Sequence, residues 1–178
     1  MILNKKFYQK STLETAQNLL GCFLVRKIGN KIIKGIITET EAYIGEDDLA
    51  CHASKGRTPR TETMYGESGH AYVYMIYGMY HCLNIVTEKK GFPTAILIRS
   101  IKIDGLDYKK TDGPGKLCKF LKIDRKLNNW NITKKERLWI EKPAQNFSKK
   151  NIVAGRRIGI DYAKHCKEYP WRFRVKEK

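Results

Sequence analysis

The chain has 178 residues, a length within the usual range of one compact domain, so we expect a single domain over residues 1–178. Its hydrophobic fraction of 42% is typical of a globular protein, and no apolar run approaches the roughly 20 residues that cross a bilayer, so we exclude a membrane-spanning protein. The 35 Lys and Arg residues against 18 Asp and Glu residues give a formal net charge of +17, which favours a polyanionic partner but could also reflect a basic proteome or a need for solubility.

A helix and a β-hairpin are the first predicted elements. Ser11 begins a capping-box pattern, apolar residues with helical spacing follow it, and Gly21 is placed to end the helix. Residues 22–28 and 31–43 are predicted strands, because β-branched and apolar residues dominate them and the intervening Gly29-Asn30 pair suits a two-residue turn.

A long loop and a second hairpin come next. Residues 44–69 contain few aliphatic side chains and many polar ones, which predicts a surface loop with one short helix over 61–65. Residues 71–76 and 80–87 are rich in aromatic and β-branched residues and are predicted strands, with Tyr77, Gly78 and Met79 at the tip between them.

Further strands and one helix complete the chain. Residues 94–101 are a predicted strand, and the break at 112–115 precedes a helix predicted to start at Lys116. Three more strands are predicted near the end of the sequence, over residues 138–140, 152–160 and 171–175. Because hairpins dominate and no strand–helix–strand crossover is evident, we predict the α+β class.

One strand carries two carboxylates beside an aromatic ring. Side chains alternate along a strand, so Glu39, Glu41 and Tyr43 are predicted to share one face. Taken alone, this pattern is more typical of a solvated strand edge than of an active site. The basic segment 55–60 and the tyrosine-rich hairpin that follow it strengthen a functional interpretation.

Basic and aromatic residues together are typical of a nucleic-acid surface, since rings stack on bases and Arg or Lys neutralises phosphates. Ordinary core packing is the default interpretation for at least one of Tyr72 and Tyr74. Tyr77 differs, because an aromatic beside a glycine at a hairpin tip seldom packs into its own core, and it could instead act as a wedge between stacked bases.

Metal and phosphate motifs are weak in this sequence. The five cysteines stand singly, which suits neither a disulfide framework nor a four-thiolate zinc site, so we expect reduced thiols in a cytoplasmic protein. The neighbours His81 and Cys82 should face opposite ways on a strand, which argues against a shared zinc ion. Residues 112–116 could form a phosphate-binding helix start with Lys116, or a plain turn before a helix cap.

Several ordered strings stand out along the chain: TETEAY at 38–43, TPR at 58–60, YVYMIYGMY at 72–80, GPGKLC at 113–118 and RF at 172–173. Together they resemble the alkyladenine (3-methyladenine) DNA glycosylase family. The resemblance runs from about residue 19 to residue 175.

The resemblance implies an enzyme that flips an alkylated or deaminated purine out of duplex DNA and hydrolyses its bond to the sugar. It implies one mixed domain on a curved, mainly antiparallel sheet with hairpins and flanking helices, using no metal and no organic cofactor. By motif position, Glu41 matches the general base of the family, and Arg99 matches an arginine that helps to hold the attacking water.

The same motif positions imply a base pocket and a DNA-contacting surface. Tyr43, His52 and Tyr74 match the aromatic walls around the flipped base, Asn84 matches a residue that clashes with the guanine amino group, and Cys82 matches another lining position. The residues that match or flank the intercalating position at the hairpin tip are Tyr77 and Met79. The residues expected to contact phosphates are Arg57, Thr58, Arg60 and Lys116.

Chemistry agrees with these implications. Electron-rich rings favour a cationic alkylated base, and a carboxylate can stabilise the oxocarbenium-like sugar while it takes a proton from water. No lysine stands out in the matched motifs as an imine-forming nucleophile, so we predict hydrolysis without cleavage of the abasic strand. We expect a monomer that acts on double-stranded DNA without an obligate protein partner, located at the nucleoid if the cell is bacterial.

The sequence departs from the mammalian relatives in three places, and two other functions stay open. The stretch between His52 and Arg57 is one residue shorter, His81 replaces an aromatic, and the segment between Arg99 and Asp112 is much abbreviated. The first alternative is a non-catalytic nucleic-acid-binding module with the same fold. The second is a metal-dependent nuclease whose ligands would be Glu39, Glu41 and either Asp47 or Asp48.

Overall fold

The computed structural model of the protein describes residues 1–143 and 149–176. Within them, eight β-strands form one curled sheet in which every strand pair is antiparallel, so the predicted α+β class and mainly antiparallel sheet are confirmed. The α-helices are α1 (Lys5–Tyr8), α2 (Thr12–Leu19) and α3 (Pro114–Phe120). The strands are β1 (Phe23–Ile28), β2 (Lys31–Ile44), β3 (Ala71–Ile76), β4 (Tyr80–Val86), β5 (Thr94–Lys102), β6 (Leu138–Glu141), β7 (Ile152–Gly155) and β8 (Arg172–Val175).

The predicted helix and the two predicted hairpins are present. The Ser11 hydroxyl accepts the Glu14 N–H at the start of α2, and Gly21 adopts a φ of +83° just after the helix ends. The pairing of Ile28 with Lys31 closes the β1–β2 hairpin, and the pairing of Ile76 with Tyr80 closes the β3–β4 hairpin.

The order β3-β4-β5-β2-β1-β6 places β2 and β5 at the centre of the sheet, where each strand has neighbours on both sides. Strand alternation divides their side chains between two faces. Ala42, Ile96 and Ile98 belong to the main core together with apolar residues of α2 and α3, whereas Leu97 and Ala95 face the other side. The central strands therefore carry the core on one face and a cavity on the other.

The prediction that residues 44–69 form an exposed surface loop was wrong, whereas the short helix predicted over 61–65 is confirmed as Glu62–Tyr65. This segment contains two short 3-10 helices, His52–Lys55 and Glu62–Tyr65, and its apolar side chains form a second buried cluster with side chains of the sheet. The segment's buried members of that cluster are Cys51, Ala53, Met64 and Tyr65. The sequence shows no periodicity here because the apolar residues are few and irregularly spaced, and they fill gaps against the sheet rather than lining one face of a regular element.

Two element boundaries also differ from the predictions. Helix α3 begins at Pro114 rather than Lys116, because proline suits the first helical position, where no N–H is needed. The strand predicted over 152–160 ends at Gly155, and residues 156–160 leave the sheet. No helix in the part of the chain that the structure describes is long and apolar enough to cross a membrane.

Candidate active site

A cavity of about 420 Å³ opens on the face of the sheet that carries Leu97. Its walls come from β2, β3, β4 and β5, from the segment 50–64 and from residues 158–162 after β7. The predicted site residues that line it are Tyr43, His52, Tyr74, Tyr77, Cys82, Asn84, Arg99 and Arg60. Residues scattered over more than 50 positions of sequence, from Tyr43 to Arg99, thus meet in one cavity.

Glu41 is fully buried behind the cavity wall, and its hydrogen-bond partners line the cavity. Tyr43 donates its hydroxyl to Glu41 Oε2 at 2.8 Å, and the backbone N–H of Ile158 donates to Oε1 at 2.8 Å. Arg99 Nη1 lies 3.4 Å from the same Oε1. A carboxylate offers about four acceptor positions, so these contacts leave acceptor capacity for a water molecule.

Burial raises the pKa of Glu41 above its ordinary value, while Arg99, the Ile158 N–H and the Tyr43 hydroxyl oppose that rise. Burial, together with the charge of Glu41, raises the pKa of Tyr43 well above its ordinary value. Tyr43 is therefore a protonated phenol that donates to the carboxylate at neutral pH.

A register irregularity between β2 and β5 positions Arg99. The pairing runs from Ile37–Ile101 to Glu39–Ser100 and then to Thr40–Ile98, so it passes over Arg99. Arg99 donates its Nε–H to Glu39 at 3.2 Å and approaches Glu41 with Nη1. Glu39 thus orients the arginine toward Glu41, which lies on the same predicted face of β2 as Glu39 and Tyr43.

Aromatic rings form one wall of the cavity. The pairs Tyr74–Cys82 and Tyr72–Asn84 place these four side chains on one face of the β3–β4 hairpin. The His52 ring packs edge-on against Tyr74 with centroids 4.5 Å apart, and its Nδ1 lies 2.9 Å from the Tyr72 hydroxyl. Tyr72 is buried in the second apolar cluster, which confirms the predicted core packing of at least one of Tyr72 and Tyr74, and it also lines the cavity.

His52 is neutral at ordinary pH. Burial lowers its pKa to about 4, with smaller contributions from the charges of Arg60 and Lys55. A neutral imidazole adds an aromatic face to the wall without adding a positive charge, which is compatible with a cationic guest.

Asn84 and Cys82 lie on the floor of the cavity and are both buried. Asn84 donates its side-chain N–H to the Tyr72 carbonyl at 3.2 Å, which fixes the orientation of the amide. Burial raises the pKa of Cys82, so this thiol is not a reactive thiolate at neutral pH.

The hairpin tip projects from the sheet beside the cavity. Tyr77 is 87% exposed and Met79 is 67% exposed, values that rule out a core role for either side chain. Tyr77 has a φ of +51°, a conformation that non-glycine residues seldom adopt. Tyr77 also lines the cavity, so the tip and the cavity form a continuous surface.

The residues predicted to contact phosphates are exposed but are not equivalent. Arg57 makes a two-pronged ion pair with Glu62 at 2.8 and 2.6 Å, and Lys116 pairs with Asp112 at 2.6 Å. The Thr58 N–H donates to the Thr61 hydroxyl at 2.8 Å. The structure does not bring Lys116 into the cavity, whereas Arg60 lies with its guanidinium carbon 5.4 Å from the centre of the Tyr74 ring and lines the cavity itself.

A buried ion pair that sequence reasoning missed supports the site. Arg157 donates to both carboxylate oxygens of Asp48 at 2.5 and 2.8 Å and to the Ala42 carbonyl at 2.9 Å. Its guanidinium carbon lies 4.8 Å from the centre of the Tyr43 ring. Arg157 immediately precedes Ile158, whose N–H donates to Glu41. The ion pair therefore fixes both Tyr43 and Ile158, two hydrogen-bond donors to the Glu41 carboxylate. No local motif announces it, because 109 positions separate Asp48 from Arg157.

The ligand set of the nuclease alternative does not come together. Both oxygens of Asp48 are occupied by Arg157, and Glu39 and Glu41 are paired with Arg99. Among residues 1–143 and 149–176, no group of three His, Cys, Asp or Glu side chains is arranged to hold a metal ion.

Comparison with known proteins identifies one family and several similar proteins. The sequence profile of the methylpurine-DNA glycosylase family matches residues 6–178. A protein of Methanocella arvoryzae is 47% identical over 185 residues, covering 97% of this chain and 91% of the relative. A protein of Clostridium botulinum is 43% identical, covering 99% and 96%, and one of Ehrlichia chaffeensis is 48% identical, covering 97% and 92%. All three carry the name 3-methyladenine DNA glycosylase as a provisional assignment.

Proposed function

We propose that this chain, which belongs to the methylpurine-DNA glycosylase family, is a monofunctional DNA-3-methyladenine glycosylase that excises alkylated or deaminated purines and so starts base excision repair. The observation that carries the proposal is the Glu41 carboxylate, which is buried directly behind the wall of an aromatic cavity and held there by Tyr43, Ile158 and Arg99.

Access to the base requires that the nucleotide leave the duplex. Extruding a nucleotide costs a few kcal/mol, less for a damaged or mispaired base. Tyr77, exposed at the tip and bordering the cavity, is placed to fill the gap in the stack, with Met79 two residues away. Partners for the DNA backbone are the exposed Arg57, Thr58 and Lys116, which would exchange their present intramolecular contacts for phosphates.

Arg60 is the fourth predicted phosphate contact, and the structure suggests a second position for it. Its guanidinium now lies over Tyr74, where a flipped base would lie against the same ring. Entry of a cationic base would favour displacement of the arginine, because two positive charges would otherwise share one low-dielectric cavity. A phosphate at the cavity mouth offers Arg60 an opposite charge in exchange.

The cavity suits a purine with a positive charge. The rings of Tyr43 and Tyr74 would stabilise such a cation by about 0.5–2 kcal/mol per contact, and the neutral His52 does not oppose it. Asn84, with its amide held by the Tyr72 carbonyl, is placed to clash with the exocyclic amino group of guanine.

Hydrolysis follows from the position of Glu41. The bond between C1′ and the base nitrogen breaks with its electron pair going to the base, and the oxygen of a water forms the new bond to C1′. Glu41 takes a proton from that water as it attacks, and its negative charge stabilises the oxocarbenium-like sugar. Arg99 holds the carboxylate and contributes a donor to the same water. The proton then passes to solvent or to the departed base, which regenerates the enzyme.

Cleavage of the abasic strand needs an amine that forms an imine with the sugar. No lysine lines the cavity among the residues that the structure describes. This supports hydrolysis alone, with intact abasic DNA as the product. The substrate also leads us to expect action in the cytoplasm, at the nucleoid if the cell is bacterial, by a monomeric protein without an obligate partner.

Release of free base from duplex DNA containing 3-methyladenine tests the proposal. The reaction is run with EDTA for the wild type, for Glu41→Gln, and for Glu67→Gln as a matched control on an exposed surface carboxylate. We expect release by the wild type and the control, release reduced at least about a hundredfold in Glu41→Gln, and uncut abasic strands throughout. Equal activity of wild type and Glu41→Gln would overturn the assignment of the base, and absence of release by all three would favour the non-catalytic binding module.

A further inference from the structure

A second cavity, of about 360 Å³, lies on the other side of the β3–β4 hairpin. Its walls include Met79, Tyr80 and His81 from the hairpin and Lys119 and Lys122 from α3 and the turn that follows it. His81 and Cys82 are neighbours on β4, and alternation directs Cys82 to the first cavity and His81 to the second. The hairpin therefore separates two cavities that share its tip.

The second cavity is basic and its cations are available. Lys119 and Lys122 are exposed, and neither makes a side-chain ion pair with any residue in the described ranges 1–143 and 149–176. The acid on this wall, Asp124, already accepts the Lys126 N–H at 2.9 Å. Two unpaired ammonium groups and an imidazole around one cavity match the chemistry of a phosphate.

Hydrogen bonds and close packing fix the wall of this cavity. Lys122 has a φ of +49°, and its carbonyl accepts from Arg26 Nη2 at 3.2 Å. Arg26 is itself buried and also donates to the carbonyl of Leu121 at 3.1 Å, so it fixes the turn after α3. At the start of the helix, Gly115 lies so close to the Tyr80 ring that an added Cβ would be 3.1 Å from it.

The two cavities have a fixed relation to a duplex that receives the tip. Tyr77 lines the first cavity and Met79 lines the second. If the tip enters the stack at the lesion, the damaged strand lies on the Tyr77 side, because its nucleotide must reach the first cavity. The Met79 side then faces the other strand.

We propose that the second cavity binds a backbone phosphate of the strand opposite the lesion, through Lys119, Lys122 and His81. This proposal rests on the glycosylase function, because it takes the lesion and the flipped nucleotide as its reference. The contact anchors the undamaged strand while the tip displaces the damaged nucleotide on the other side.

The test measures binding to a duplex that carries a tetrahydrofuran analogue of the abasic site, which needs no catalysis. Single neutral methylphosphonate linkages are placed along the opposite strand and, in a separate series, along the damaged strand. We expect a neutral linkage at one or two adjacent opposite-strand positions to weaken wild-type binding roughly tenfold. The Lys119→Gln/Lys122→Gln variant should bind the unmodified duplex more weakly by a similar factor, and neutral linkages at those positions should not weaken its binding further. Its plot of log affinity against log salt should be shallower by about 1–2.

Two controls separate this site from general loss of charge or folding. Lys89→Gln/Lys90→Gln removes the same charge from the turn between β4 and β5, at the other end of the hairpin strands, and should retain the opposite-strand sensitivity. Lys119→Arg/Lys122→Arg keeps the charge and should also retain the opposite-strand sensitivity. The proposal is overturned if neutral linkages at the same opposite-strand positions still weaken binding of Lys119→Gln/Lys122→Gln. It is also overturned if this variant becomes insensitive to linkages on the damaged strand instead. Failure of the glycosylase function itself would show differently, as wild-type binding without preference for the abasic analogue over undamaged duplex.

Discussion

Replacing Asp48 with asparagine tests whether the buried ion pair supports the site. The Arg157 and Asp48 side chains are 0% and 1% exposed, and the guanidinium meets both carboxylate oxygens. The substituted side chain would keep the volume but remove the charge, and its amide N–H would face the guanidinium N–H groups that the carboxylate now accepts from. The Arg157 charge would then stay buried without a counter-charge, because its remaining acceptors, one amide oxygen and the Ala42 and Cys166 carbonyls, are all neutral.

The expected loss is large because the remaining charge cannot reach water. Breaking a buried pair by removing one partner costs about 3–5 kcal/mol. For a chain of this length, each kcal/mol lowers the melting temperature by about 2–4 °C, so we expect a drop of roughly 6–20 °C. A surface pair behaves differently: Glu67, 2.7 Å from Lys5 with both side chains about half exposed, should change stability by no more than about 1 kcal/mol when converted to Gln.

Urea unfolding of wild type, Asp48→Asn, Glu67→Gln and the double variant Asp48→Asn/Arg157→Met measures these differences. The double variant removes both charges, so it should recover part of the loss. At a temperature where Asp48→Asn is still folded, its base release should also fall, because Arg157 precedes the Ile158 N–H that holds Glu41. A loss of stability no larger than that of Glu67→Gln would refute the reasoning.

Three further predictions concern the site itself. Tyr77→Ala should weaken binding to a lesion-containing duplex by more than it weakens binding to undamaged duplex, because the side chain is needed only when a base has left the stack; equal losses in gel-shift titrations would contradict a wedge. Asn84→Ser should raise release of 3-methylguanine relative to 3-methyladenine, and it should cost about 1 kcal/mol of stability through the lost hydrogen bond to the Tyr72 carbonyl. An unchanged ratio of the two released bases would refute a role of Asn84 in discriminating against guanine. Burial raises the pKa of Glu41 above its ordinary 4.5, so the carboxylate gains a proton at a higher pH than a free glutamate does. Base release should therefore fall as the pH is lowered, with a midpoint above 4.5. A pH–rate profile that stays flat through that region would count against Glu41 as the base.

The elements that the sequence predicted well are those whose information is local. Ser11 and Gly21 bound α2, and the turn at Gly29-Asn30 joins β1 to β2, because capping and turn chemistry involve residues only a few positions apart. The exposure of Tyr77 was predictable for the same reason. The exposure of residues 44–69 was predicted wrongly, because their burial depends on partners in the sheet rather than on any local period.

Sequence by itself determined the fold class and the set of candidate site residues, since the order of hairpins and the matched strings of one family both lie in the linear chain. Tertiary structure alone decided the electrostatics of the site. The Ile158 N–H that holds Glu41 and the Asp48–Arg157 pair behind Tyr43 both join residues separated by more than a hundred positions, and the burial that raises the pKa of Glu41 comes from the same folding of distant segments around it. Desolvation and pairing of charges depend on distance in space, and only the folded sheet with its connecting segments brings these groups within reach of one another.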